Sequence, residues 1–90
     1  MKRVKVKIFG IVQGVGFRNF IRFHAKKMDL KGYVRNLEDG SVEAVFEGAD
    51  ELVDRIIEFC RKGPPLAKVS DVKVVNEDFK NEFNDFKILY

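Results

Sequence analysis

Apolar residues in this chain recur every second residue in some segments and about every 3.6 residues in others, and these two patterns alternate twice along the sequence. The segment Val4–Ile8 alternates aliphatic residues with lysine and predicts a half-buried strand. Asn19–Met28 then carries apolar residues at helical spacing. Two further alternating segments, Tyr33–Leu37 and Ser41–Glu47, flank the pair Asp39-Gly40, which is typical of a hairpin turn. The first half of the chain therefore predicts a strand, a helix and a two-stranded hairpin.

The second helical segment is the clearest element of the chain. Its apolar residues form one stripe opposed by charged residues, and Gly63-Pro64-Pro65 ends it. The stripe consists of Leu52, Val53, Ile56, Ile57 and Cys60. Lys68–Asn76 predicts another strand, and Phe86–Tyr90 a short terminal one.

The complete order is β-α-β-β-α-β plus a short C-terminal strand. It indicates an α+β, ferredoxin-like split-βαβ sandwich, with an antiparallel sheet and two helices on one face. At 90 residues the chain has room for one core, so residues 1–90 are expected to form a single domain. Gly32 is expected to end the region of the first helix.

The residue types that are scarce exclude several kinds of site. The chain has one histidine, His24, and one cysteine, Cys60, so a Cys/His zinc site cannot form within it. A serine triad would have to use His24, which lies near the apolar side of the first helix and is expected to be structural. Cys60 is expected to be buried and inert, and Phe79, Phe83 and Phe86 to pack in strands and core. No metal or cofactor is expected.

The charge of the molecule favours anionic partners only mildly. Seventeen lysines and arginines exceed fourteen acids by three, and the two signs are interleaved along the chain. This pattern is typical of a solvated mixed-charge surface rather than a nucleic-acid face. The many ionic residues and the single glutamine suggest a thermophilic source.

The glycine-punctuated segment Val12–Arg18 joins the first strand to the first helix. Glycines allow successive backbone N–H groups to converge on an anion, and the start of a helix adds partial positive charge. Arg18 adds a planar cation that matches phosphate oxygens. The segment lacks the Gly-Lys-Ser/Thr ending of a Walker loop, and Val12 stands where a cysteine-based phosphatase carries its nucleophile. It therefore predicts either a non-covalent phosphate cradle or an ordinary turn with a surface arginine.

Three segments of the chain resemble the acylphosphatase family. Gly10–Arg18 resembles the first signature of that family, and Gly32–Glu43, running on to Gly48, resembles the second. Gly63–Val69 resembles the segment that follows the second helix in the family. At Asp29 family members often carry glycine, and aspartate adopts the left-handed conformation at modest cost.

The resemblance implies hydrolysis of acyl phosphates to carboxylate and inorganic phosphate. It implies that Arg18 binds the phosphoryl group together with loop amides and that Asn36 positions the attacking water. The amides expected at the phosphate are those of Gly14, Val15, Gly16, Phe17 and Arg18. A carboxylate leaves without help from an acid, so this small set of residues suffices for such a substrate.

Two alternatives share the expected fold. One is an acylphosphatase-like module without turnover, of the kind found inside larger carbamoyl-transfer and hydrogenase-maturation proteins. The other is an RNA-binding module, because RNA-recognition motifs have the same element order, although the expected aromatic residues do not follow Val34. The end of the chain at Tyr90 favours a free-standing enzyme. The leading expectation is a cytoplasmic monomer that acts on a small acyl phosphate, without nucleic acid or membrane partners.

Overall fold

In the computed structural model, which describes all 90 residues, five strands and two helices follow one another in the predicted order. The strands are β1 (Lys2–Ile11), β2 (Lys31–Asn36), β3 (Val42–Gly48), β4 (Lys68–Glu77) and β5 (Phe86–Leu89), and the helices are α1 (Phe17–Lys27) and α2 (Asp50–Lys62). Neither helix has the length and apolar character needed to cross a membrane.

The five strands form one sheet in the order β4-β1-β3-β2-β5. Its first four strands pair antiparallel, and β5 joins the edge parallel to β2. Successive side chains of β1 point to opposite faces of the sheet. Val4, Val6 and Ile8 are fully buried beneath the helices, and Lys5 and Lys7 lie on the other face. The predicted α+β ferredoxin-like sandwich is confirmed.

Both helices pack on the same face of the sheet and share its core. The stripe on α2 is buried at Val53, Ile56, Ile57 and Cys60, as its spacing predicts. Burial raises the pKa of the Cys60 thiol, so this group is neutral and inaccessible as predicted.

The region after α1 differs from the sequence prediction at Gly32. The helix ends at Lys27, and Asp29 makes the left-handed turn with a φ of 55°. Gly32 lies within β2 instead, with a φ of 143°. A Cβ at this position would stand 1.8 Å from the carbonyl oxygen of Val45, so the glycine allows β3 to approach closely.

The three C-terminal phenylalanines occupy three different environments. Phe86 is buried and stacks on Phe46, with ring centroids 5.4 Å apart. Phe83 is half-buried and forms a T-shaped pair with Tyr33, with ring centroids 6.0 Å apart. Phe79 lies in the connection between β4 and β5 and is 38% exposed, so the prediction of core packing was wrong there. The polar residues that surround it in sequence keep this segment on the surface.

A buried ion cluster fixes this connection to the sheet. The Arg3 guanidinium lies against the carboxylates of Glu47, Glu77 and Glu82, with Nε 2.8 Å from Glu77. The Glu47 carboxylate also accepts the backbone N–H groups of Lys80, Asn81 and Glu82. Burial opposes ionisation of Glu47, but these hydrogen bonds outweigh it and hold its pKa below the usual range. The cluster therefore ties residues 80–82 of the connection to β1 and β3.

Candidate active site

Strand directions bring separate parts of the sequence to one end of the sheet. β1 and β2 are each antiparallel to β3, so their C-terminal ends point the same way, and β5 is parallel to β2. The loop after β1, the last residue of β2 and the end of β5 therefore meet. They enclose a cavity of about 80 Å³ lined by Val12, Gly14, Gly16, Phe17, Arg18, Asn19, Asn36, Ile88 and Tyr90.

The loop between β1 and α1 supplies donors to this cavity. Gly14 and Gly16 have φ values of 73° and 80°, and nothing lies within 4 Å of the position of a Cβ at either residue. Gly16 is the N-cap of α1 and provides no side-chain cap. The first backbone hydrogen bond of the helix runs from the Phe20 N–H to the Gly16 carbonyl, at 3.1 Å. The earlier N–H groups of the helix therefore have no acceptor within the protein.

Arg18 stands in the first turn of α1 without an acidic partner. Its guanidinium takes part in no ion pair, and the first turn of this helix contains no acidic residue. The guanidinium carbon lies 5.1 Å from the centroid of the Tyr90 ring. Positive charge from the side chain and from the helix start is thus concentrated at one wall of the cavity.

Asn36 is the last residue of β2 and forms a second wall of the cavity, which we call the opposite wall. Its Oδ1 atom is buried and has no hydrogen-bond partner within the protein. An unpaired buried acceptor costs about 1–3 kcal/mol. No other buried side-chain nitrogen or oxygen atom in the protein lacks a partner. A donor that reaches this oxygen, such as a water molecule, would satisfy Asn36.

Gln13 links the two walls. Its Nε2 donates to the carbonyl oxygens of Leu37 and Ser41, at 2.7 and 2.9 Å. Leu37 directly follows Asn36, and Gln13 directly precedes the loop glycines. Sequence reasoning missed this contact, because a glutamine in a loop carries no local sign of a partner more than twenty residues away.

Most of the residues expected at the site meet in this cavity. Gly14, Gly16, Phe17, Arg18 and Asn36 line it, whereas Val15 does not and packs partly buried against the core. Asn19, Ile88 and Tyr90 also line the cavity and were not expected. The last two arrive through the parallel pairing of β5.

The histidine lies outside the cavity. His24 stacks on Phe59 between the two helices, with centroids 4.1 Å apart and planes at 21°. Burial, with a smaller contribution from Lys27, lowers its pKa and favours the neutral imidazole. No group of three or more His, Cys, Asp or Glu side chains is arranged to hold a metal ion.

Comparisons with known proteins agree on one family. The model of the family described as Acylphosphatase matches residues 4–88. A relative of that name from Syntrophus aciditrophicus is 49% identical over 90 residues, which cover 100% of this chain and 94% of the relative. Another from Aeropyrum pernix is 48% identical over 89 residues, covering 98% of this chain and 88% of the relative.

Solved structures show the same similarity. The crystal structure of acylphosphatase from Bacillus subtilis matches with a TM-score of 0.96 and 36% identity, over 100% of both chains. Full-length HypF in a phosphate- and nucleotide-bound form matches with a TM-score of 0.87 and 32% identity. That match covers 99% of this chain but only 12% of HypF, so the same fold also occurs as one part of a larger protein.

Proposed function

This chain belongs to the acylphosphatase family, and we propose that its cavity hydrolyses the carboxyl–phosphate bond of a small acyl phosphate. Arg18 and the loop amides hold the phosphoryl group, and Asn36 holds the attacking water. Asn36 lines the same cavity as Arg18, and its buried Oδ1 has no partner within the protein; this is the observation that carries the proposal.

The wall formed by the loop and α1 suits the phosphoryl group. Charge in the transition state of phosphoryl transfer spreads over the equatorial oxygens. Free N–H groups at a helix start and an unpaired guanidinium are suitable donors to such oxygens. They act without reorganisation during the reaction, because the backbone holds the amides in place. We assign this role to Arg18 and to the amides of Gly14, Val15, Gly16, Phe17 and Arg18.

The opposite wall suits the nucleophile. An asparagine amide is not a base near neutral pH, but its oxygen accepts a hydrogen bond from water and so orients a lone pair towards phosphorus. The water oxygen bonds to phosphorus as the bond from phosphorus to the acyl oxygen breaks. The carboxylate leaves with that electron pair, and both water protons stay on the phosphate, released as H2PO4−. Asn36 thus contributes by positioning rather than by proton transfer.

The leaving group determines which substrates this site accepts. A carboxylate is the conjugate base of an acid with a pKa of about 4, so it departs without a proton donor. An alkoxide requires an acid or a metal ion at the leaving oxygen. No carboxylic acid or imidazole side chain lines the cavity to protonate such a leaving group. We therefore propose acyl phosphates as substrates and simple alkyl phosphates as very poor ones.

The setting of the enzyme is also part of the proposal. The residues of one chain are sufficient to form the cavity, so we propose that the monomer is active. The buried, unpaired Cys60 is compatible with a reducing cytoplasm. Interleaved charges support a small-molecule substrate over a nucleic acid. Composition alone supports a thermophilic source.

Phosphate release from acetyl phosphate tests the proposal, with ethyl phosphate as the matched monoester. We expect rapid release from acetyl phosphate in the presence of a chelator and no detectable release from ethyl phosphate. Comparable turnover of the two compounds would refute the leaving-group argument. Failure to turn over acetyl phosphate would instead support the alternative of a module without turnover.

A further inference from the structure

We propose that Gln13 is a positioning residue for the hydrolysis, because its side-chain amide sets the placement of Asn36 relative to the phosphate loop. The inference rests on the proposed function, since it concerns the water held by Asn36. Gln13 does not line the cavity, so it acts through other groups.

The hydrogen bonds of Gln13 define its orientation. Both hydrogens of Nε2 are used, one towards the Leu37 carbonyl at 2.7 Å and one towards the Ser41 carbonyl at 2.9 Å. Both partners are acceptors only, so the reversed amide would place its oxygen against two carbonyl oxygens. The side chain therefore has one favourable arrangement.

These two carbonyls belong to the turn that follows Asn36. The Leu37 N–H donates to the Ser41 carbonyl at 2.9 Å, which closes the turn between β2 and β3. Gln13 thus holds the closed turn at the residue adjacent to Asn36. A shift of the turn away from the loop would move the Asn36 amide away from Arg18.

No backbone bond makes the same connection. The pairing of β1 with β3 ends at Ile8 and Val42, and the pairing of β1 with β4 ends at Ile11 and Lys68. The backbone hydrogen bonds outside helices and strands include none between residues 12–16 and the turn. The side chain of Gln13 is therefore the hydrogen-bonded link between the two walls of the cavity.

Loss of this link should affect turnover and phosphate binding differently. Arg18 and the amides belong to the loop and to α1, so they retain their mutual geometry without Gln13. Asn36 keeps its pairing with Val42 in the sheet but loses the link that fixes its turn against the loop. A displacement near 1 Å at a reacting group costs up to about 10²-fold in rate. We expect kcat to fall and the inhibition constant of phosphate to stay constant.

A double-mutant cycle between Gln13→Met and Asn36→Ala tests the inference. Methionine has a similar volume and no donor. We expect Gln13→Met to lower kcat about tenfold in the parent and less than about twofold in the Asn36→Ala background. The inhibition constant of inorganic phosphate should change less than about twofold. Tyr33→Phe, which removes one hydrogen bond to Glu43 on the other face of β2, is the matched control and should leave kcat unchanged.

Several outcomes would overturn the inference. These are an unchanged kcat in Gln13→Met, an equal loss in both backgrounds, or a rise in the phosphate inhibition constant that matches the loss of kcat. Full activity of Asn36→Ala alone would contradict the proposed role of Asn36 itself, and that single variant distinguishes the two failures. If Gln13→Met does not fold, Gln13→Asn serves, because its amide is too short to reach both carbonyls.

A spectroscopic measurement needs no turnover. The side-chain amide resonance of Asn36 is identified by its loss in Asn36→Ala. It should shift in Gln13→Met and stay in place in Tyr33→Phe. An Asn36 resonance unmoved by Gln13→Met would count against the link.

Discussion

Arg3 and Arg18 carry the same guanidinium, and their surroundings give them different roles. Arg3 is buried against three carboxylates, whereas Arg18 lines a cavity with no carboxylate partner. The glycine loop and the helix start are the local features that predict a phosphate-binding role for Arg18. Arg3 stands in an alternating strand among lysines and has no local feature that distinguishes it. Its partners lie more than 40 residues away, so only the folded structure identifies them.

The Arg3 cluster predicts a stability difference between neighbouring cations. Arg3→Met leaves the carboxylate of Glu47, which is 2% exposed, without its cation and should lower the free energy of unfolding by about 3 kcal/mol. Lys2→Met removes an ion pair to the exposed Asp54 and should cost less than about 1 kcal/mol. Denaturant unfolding at pH 7 compares the two variants. Equal small losses would mean that the cluster contributes little to the fold.

At the scale of elements, the start of α1 is both a helix terminus of the fold and part of the candidate active site. Its N-cap is a glycine rather than a serine, threonine or aspartate, so the first turn has no internal acceptor. The stripes and turn signals of the chain were sufficient to predict both helices. They were not sufficient for Gly32, because a glycine that ends a helix and one that admits a neighbouring strand look alike in sequence. The distinction depends on the approach of Val45 from β3.

Gly16→Ala should weaken phosphate binding beyond its effect on stability. An alanine in the left-handed conformation of Gly16 costs about 1–2 kcal/mol. Relaxation of that strain would change the direction of the N–H groups at the helix start. Loss of one such hydrogen bond to phosphate corresponds to roughly a tenfold higher inhibition constant. Gly40→Ala is the control, because Gly40 is also left-handed and equally open but lies in the hairpin turn. We expect similar destabilisation in both variants. A parallel rise of the phosphate inhibition constant in Gly40→Ala would contradict this reading.

The packing of α1 against α2 through His24 predicts a pH dependence of stability. The pKa of His24 is lowered in the folded state, so the unfolded chain binds a proton more readily. The free energy of unfolding should therefore carry no penalty from His24 above the unfolded pKa of about 6.5, and it should decline as the pH falls through that value. His24→Phe preserves the aromatic contact with Phe59 and removes the titration.

Denaturant unfolding between pH 7.5 and 5.5 measures this effect. Carboxylates with lowered pKa values, such as Glu47 and Glu77, lose their contribution to the free energy of unfolding only at lower pH. His24 is the only histidine in the chain, so the part of the slope that His24→Phe removes belongs to it. A parent protein of constant stability, or a His24→Phe variant with an unchanged slope, would contradict the assignment.

At the scale of the whole molecule, the sheet topology builds the cavity. The loop glycines and Arg18 predicted a phosphate cradle, the family resemblance implied Asn36, and the element order was sufficient for the fold. The assembly of the cavity depends on two strands pointing the same way beside β3, and on β5 joining parallel to β2. Ile88 and Tyr90 enter the cavity for this reason alone, so no local pattern pointed to them. Gln13 is a further case, because its partners are set by tertiary structure.

The inhibition constant of inorganic phosphate, measured for Asn36→Ala beside Arg18→Ala, tests the division of labour between the two walls most directly. Arg18→Ala removes charge-assisted bonds to the bound anion and should raise the constant by more than about tenfold. Asn36→Ala should leave it within about twofold while kcat falls by about 10²-fold, since the amide contacts water rather than phosphate. Circular dichroism checks that both variants are folded. An equal rise of the constant in both variants would contradict the account, because Asn36 would then belong to the phosphate site.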